Sequence, residues 1–128
     1  MNLRLIASLV LLAGNLASSL PAMESFACNV SALTHSERDR QHVLGGKLQS
    51  AATHREELPN GYALILDRSR LPLNELAEWV SFESRCCPFL DFQISFAGDS
   101  GPLTLRLTGK SAEVKTFLAQ EIRAFEGK

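Results

Sequence analysis

The sequence has no surplus of either charge, few cysteines and no long uninterrupted apolar run. Thirteen Lys and Arg against 14 Asp and Glu leave a formal net charge of −1. There is no basic excess to neutralise phosphates and no acidic tail, which argues against nucleic-acid binding. Three cysteines in 128 residues are too few for a disulfide-built mini-protein, and the odd count leaves at least one thiol free, metal-bound or paired with another molecule. The sequence lacks Cys-x-x-Cys, Gly-x-Ser-x-Gly and His-Glu-x-x-His, so thioredoxin-like redox chemistry and two common hydrolase arrangements lose their motifs. Gly109-Lys110-Ser111 ends like a phosphate-binding loop, but Thr104 stands where that motif needs glycine. What is present is core material: 45% of the residues are apolar and seven are Phe. That amount suits one folded domain.

The amino end differs from the rest. After Arg4 no charged residue appears until Glu24, and Leu5 to Ala13 is apolar except for Ser8. One positive charge, an apolar stretch broken at Gly14-Asn15, and small residues up to Ala22 predict a secretory signal peptide over residues 1–22. The mature part, residues 23–128, would then be a single domain exported to the periplasm or secreted. The run is too short and too interrupted for a stable membrane span, which takes about 20 apolar residues. Initiation at Met23 would instead give a cytoplasmic protein. Ser25 stands where a lipidation signal ahead of Cys28 usually has Leu.

Along the mature chain, Thr34-His35-Ser36-Glu37 has capping-box spacing, so a helix is predicted from Thr34 through Leu44, ended by Gly45-Gly46. Asn60-Gly61 between extended runs predicts a hairpin. Asn74 is a candidate cap for a second helix carrying Leu76, Trp79 and Phe82, which Pro88 stops. Leu90, Phe92, Ile94 and Phe96 alternate with polar residues, as do Leu103, Leu105 and Leu107 beyond a turn at Gly98–Pro102. Val114, Phe117, Leu118, Ile122 and Phe125 recur at helical spacing behind Ser111. The predicted fold is α+β in the order αββαββα, with helices on one face of a four-stranded, mostly antiparallel sheet. Asp91, Gln93, Ser95, Thr104 and Arg106 would make the other face polar.

The most specific local feature is Glu83-Ser84-Arg85-Cys86-Cys87-Pro88-Phe89-Leu90. Residues three and four apart share a helix face, which places Glu83 beside Cys86 and Cys87. Pro88 exposes the last helical carbonyls at the thiols, and their partial negative charge favours a cation over a free thiolate. Arg85 projects about 100° away around the helix and is not credited with activating a thiol. Phe26-Ala27-Cys28, Ala32-Leu33-Thr34, Asn60-Gly61-Tyr62, Glu83 to Leu90 and Leu105 to Gly109 together resemble a family of small bacterial domains with a Glu-x-x-Cys-Cys-Pro-Phe signature. Its members resemble companions, or carboxyl-terminal extensions, of MerR-type metal-responsive regulators. The resemblance spans roughly residues 26 to 125 and implies a soft metal as partner, but carries no settled activity. The helix-turn-helix of those regulators has no counterpart here.

Three functional readings follow. In the first, Cys28, Cys86 and Cys87 bind a soft metal ion (Hg, Cu, As or Zn) with Glu83 as acceptor or extra ligand; a zinc ion would draw its fourth ligand from Glu83, His35, His42 or His54. This reading is of a binding protein and not an enzyme. In the second, the cysteines serve thiol redox or organometal processing, with one thiolate attacking and Glu83 moving a proton. In the third, the domain is structural or partner-binding and the cysteines are packing residues or a disulfide. An oxidising compartment would link Cys28 to Cys86 or Cys87 and leave one thiol. His35 and His42 share a helix face that needs no ligand, and Glu113 and Glu121 read as a solvated face.

Overall fold

The computed structural model describes residues 26–126. The predicted signal segment and the alternative start at Met23 lie outside the described residues, as does the side chain of Phe125. After a short 3-10 turn at Val30–Ala32 come helix α1 (His35–Ala51), strands β1 (Ala52–Leu58) and β2 (Gly61–Leu66), helix α2 (Leu73–Cys86), strands β3 (Asp91–Phe96) and β4 (Leu103–Thr108), and helix α3 (Ala112–Glu126). The order is the predicted αββαββα. The sheet runs β1-β2-β4-β3, and every pairing is antiparallel.

Alternation in β4 sets the two faces of the sheet. Leu103, Leu105 and Leu107 are buried while Arg106 is exposed, because successive side chains point to opposite sides. Register places Leu64 opposite Leu105 and Leu105 opposite Ile94, so one aliphatic layer crosses three strands. Onto it pack Leu44 and Leu48 of α1, Leu76 and Trp79 of α2, and Val114, Leu118 and Ile122 of α3. On the outer face Asp91, Gln93, Ser95 and Arg106 are exposed and Thr104 is partly exposed, as the sequence predicts.

Four local expectations are corrected. Gly45-Gly46 does not end α1, which continues to Ala51. Each glycine costs about 1 kcal/mol in a helix, but stopping there would forfeit burial of Leu48 and Ala51, together worth more. Interhelical ion pairs also hold this charged helix to α2, among them Arg40 with Glu78 and Lys47 with Glu75. Second, α2 begins at Leu73 with Pro72 as its cap, so Asn74 lies inside the first turn. The tight turn in which Asp67 O accepts from Leu71 N buries Leu71 and delivers Pro72, whose fixed φ suits a helix start. Third, Leu58 pairs with Gly61, so the hairpin turn is Pro59-Asn60 and the glycine is a strand residue. Fourth, Phe96 lies on the core face of the sheet, opposite Leu103, and is nonetheless 50% exposed. It sits at the end of an edge strand, with the Arg68 guanidinium 5.0 Å from its ring centroid.

The capping box at Thr34 forms as expected, Thr34 Oγ1 accepting from Glu37 N and Glu37 Oε2 from Thr34 N. Ser111 Oγ accepts from Val114 N at the start of α3. Gly98, in the β3–β4 turn, has φ +58°, which glycine adopts without steric cost.

Gly61 is required for space, not for φ: a Cβ there would run into the Leu107 carbonyl oxygen on β4. Gly61→Ala is expected to destabilise the protein by about 1–3 kcal/mol, the usual cost of overpacking. Denaturant unfolding of the variant against the natural chain measures it.

Candidate cysteine and carboxylate site

The site is built where α2 stops. Cys86 is the last helical residue and Cys87 its cap, with backbone at φ −121°, ψ 70° and its N–H donating to Glu83 O at 2.7 Å. Pro88 cannot continue the helix. The carbonyls left open at a helix end need donors, and the amino-terminal segment supplies one: Asn29 N donates to Cys86 O at 2.8 Å. That bond lays residues 26–29 beside residues 86–89 and brings Cys28 to Cys87. The two are joined as a disulfide, with Cα atoms 4.8 Å apart although they are 59 positions apart in sequence.

The strap is fixed from outside as well. Arg85 donates to both carboxylate oxygens of Glu37, at 2.8 and 3.1 Å, and to Ala32 O at 2.8 Å. Arg38 donates to Leu33 O and Val30 O. Arg85 thus ties α2 to α1 and to the 3-10 turn, in keeping with the projection read from the sequence. Phe26 stacks on Phe89 with centroids 5.0 Å apart, and Phe89 meets Phe117 of α3 edge-on at 5.2 Å.

Glu83 lies one turn before the cap. Its Oε1 is 3.7 Å from Cys87 Sγ. A disulfide sulfur carries no proton, so this is a contact while the bond is closed; a reduced Cys87 thiol would donate to the carboxylate. The other oxygen, Oε2, accepts from Gln41 Nε2 of α1 at 2.5 Å. Burial raises the Glu83 pKa, the Gln41 hydrogen bond opposes that rise, and the negative charge of Glu121 adds to it. The ligand atoms of Cys28, Glu83 and Cys87 all lie within 4.8 Å of one another. This is a compact two-sulfur, one-oxygen set.

Cys86 is placed differently. Only 1% exposed, it is the free cysteine and stands outside that set. Its Sγ lies 3.8 Å from Gln41 Nε2, and burial followed by the Glu83 charge pushes its thiol pKa up. It is therefore a poor nucleophile, since the thiolate is the reactive form. None of the histidines joins the set. His35 faces Asp39 at 3.4 Å on an exposed helix surface, and His42 and His54 are exposed.

Comparison with family models, with curated proteins and with solved structures gives no match to this chain. The site's chemistry therefore rests on its own residues. Of the four residues the sequence singled out, the structure brings Cys28, Cys87 and Glu83 together and leaves Cys86 outside that group; nothing in the sequence pointed to Gln41. That residue is 42 positions from Glu83 and has no motif around it.

Two outcomes follow from this geometry. Glu37 is held at about 2 instead of its usual 4.5, first by the Arg85 hydrogen bond and next by the Thr34 backbone N–H. Between those values the unfolded chain binds more protons than the folded one, so the stability this carboxylate contributes above its usual pKa is lost as pH falls toward 2. Glu37→Gln should flatten the dependence of stability on pH across that interval, read by denaturant unfolding at stepped pH. Opening the disulfide, by reduction or by the double change Cys28→Ser with Cys87→Ser, should cost about 2–4 kcal/mol. The same unfolding measurement with and without reductant checks this.

Proposed function

We propose that this protein is a soft-metal-binding domain whose ligands are the reduced thiolates of Cys28 and Cys87, with the Glu83 carboxylate as third donor. The observation that carries this reading is the convergence of these three ligand atoms within 4.8 Å, although Cys28 lies 59 positions from Cys87 in sequence. Soft sulfur selects soft ions. Two thiolates on one side of a carboxylate suit ions that bind two sulfurs, Hg(II) and Cu(I), better than As(III), which takes three. The likeness of the Glu-x-x-Cys-Cys-Pro-Phe block to companions of metal-responsive regulators agrees with this choice. Zinc is a weaker candidate, because no histidine stands near enough to complete a tetrahedron.

Metal binding and the disulfide are mutually exclusive, since a sulfur already bonded to sulfur offers no thiolate. Oxidation state therefore decides whether the site is open. In an oxidising compartment, the destination that the predicted export signal implies, the pair rests as the disulfide, and a thiol reductant opens it. Cys86 takes no part as a ligand in this reading. It fills space beneath the site.

Titration of the reduced full chain with Hg(II) or Cu(I), followed by native mass and by competition with a chelator of known affinity, is expected to give one bound ion. Cys28→Ser or Cys87→Ser should each weaken binding by at least about tenfold, as loss of a tuning partner alone already costs 10–100-fold in metal sites. Cys86→Ser should leave the affinity unchanged. Binding by the oxidised protein equal to that of the reduced one, or an equal loss in all three variants, would overturn the assignment.

A further inference from the structure

A cavity of about 290 Å³ is lined by Phe26, Pro88, Phe89, Asp91, Lys110, Ser111 and Val114, and Pro88 follows Cys87 directly in the chain. Two of its walls flank the disulfide in sequence, one from each side: Phe26 of the strap is two residues from Cys28, and Phe89 beyond α2 is two residues from Cys87. The Phe26 and Phe89 rings meet at 59° and Phe89 also meets Phe117 edge-on, an aromatic cluster against which a further ring can pack. Asp91 and Lys110 bring one charge of each sign, so the cavity as a whole selects neither an anion nor a cation. Its volume suffices for a benzene-sized group, which an apolar cavity of about 150 Å³ can already hold.

We infer that the ligand of the sulfur site is an organometallic cation, a soft metal ion carrying one aryl group, with the metal on Cys28 and Cys87 and the ring in the cavity lined by Phe26 and Phe89. The inference rests on the metal-binding reading and gives it a substrate class. A dithiol reductant first opens the disulfide: two electrons and two protons pass to the two sulfurs, and the reductant leaves as its own disulfide. Cys28, the partly exposed member of the pair, then loses its proton to solvent. Its thiolate displaces the counter-ligand X from aryl–Hg–X. The S–Hg bond forms, the Hg–X bond breaks, X⁻ departs, and the carbon–mercury bond stays intact. Cys87 and Glu83 stand beside the bound metal as additional donors.

The probes are phenylmercury, methylmercury and Hg(II), each competed against glutathione on the reduced full chain so that intrinsic thiol affinity cancels. The expected result is a preference for phenylmercury over methylmercury of about tenfold beyond that of glutathione, from packing of one ring against others. Phe26→Ala or Phe89→Ala should bring that ratio to about one with Hg(II) binding retained. Because either variant could unfold, the natural chain supplies a second reading. Phenylmercury, but not methylmercury, should shift the Val114 methyl resonances in the NMR spectrum through its ring current. Equal ratios together with unmoved Val114 methyls, while Hg(II) still binds, would overturn the aryl assignment alone. Failure of all three mercurials to bind would overturn the metal-binding reading beneath it.

Discussion

The whole cysteine site depends on one stop in the backbone. Pro88 cannot extend α2, so the helix ends with open carbonyls, and the chain meets that constraint by laying residues 26–29 across the end, where Asn29 N donates to Cys86 O. With that bond made, Cys28 stands against the cap residue Cys87 and is joined to it. The aromatic contact of Phe26 with Phe89 follows from the same alignment. Arg85 then ties the end of α2 to Glu37 of α1 and to Ala32 O in the 3-10 turn that follows the strap. Chain termination, sulfur pairing and aromatic packing are three results of one local geometry.

The adjacent cysteines divide their roles because a helix end separates consecutive side chains. Cys86 is still helical and turns inward toward Gln41, while Cys87 has left the helix and turns toward the strap. Glu83 is shared. One turn earlier on α2, it reaches Cys87 with one oxygen and is anchored to α1 by the other. Gln41 thus reaches both Glu83 and Cys86, and it couples the chemistry of the site to the packing of the first two helices.

Much of the fold was legible because it is written in short periods. Alternation in β3 and β4, helical spacing in α2 and α3, and the capping box at Thr34 each reflect contacts made within a few residues. Errors arose where distant contacts outweighed local preference. Gly45-Gly46 looks like a helix stop, but Leu48 and Ala51 belong to a core that only the assembled fold reveals. Phe96 follows the buried alternation and yet is exposed, because edge position is a property of the sheet and not of the strand. At the site, the helix face shared by Glu83 and Cys87 could be read from spacing. The choice of Cys87 over Cys86 as partner of Cys28 could not, since it turns on the direction of one residue beyond the helix, and Gln41 carried no local signal at all.

The strap's backbone hydrogen bond has a kinetic meaning. Asn29 and Arg85 hold the amino-terminal segment by groups other than sulfur, so breaking the disulfide leaves Cys28 tethered next to Cys87. The two thiols then face each other as if at high effective concentration, without the search through solution that two free thiols would require. A ligand bridging them loses little further chain freedom, and an oxidant would reclose the bond as an intramolecular event. The segment acts as a hinge leaf pinned at its base, keeping the pair in register whichever bond the sulfurs make.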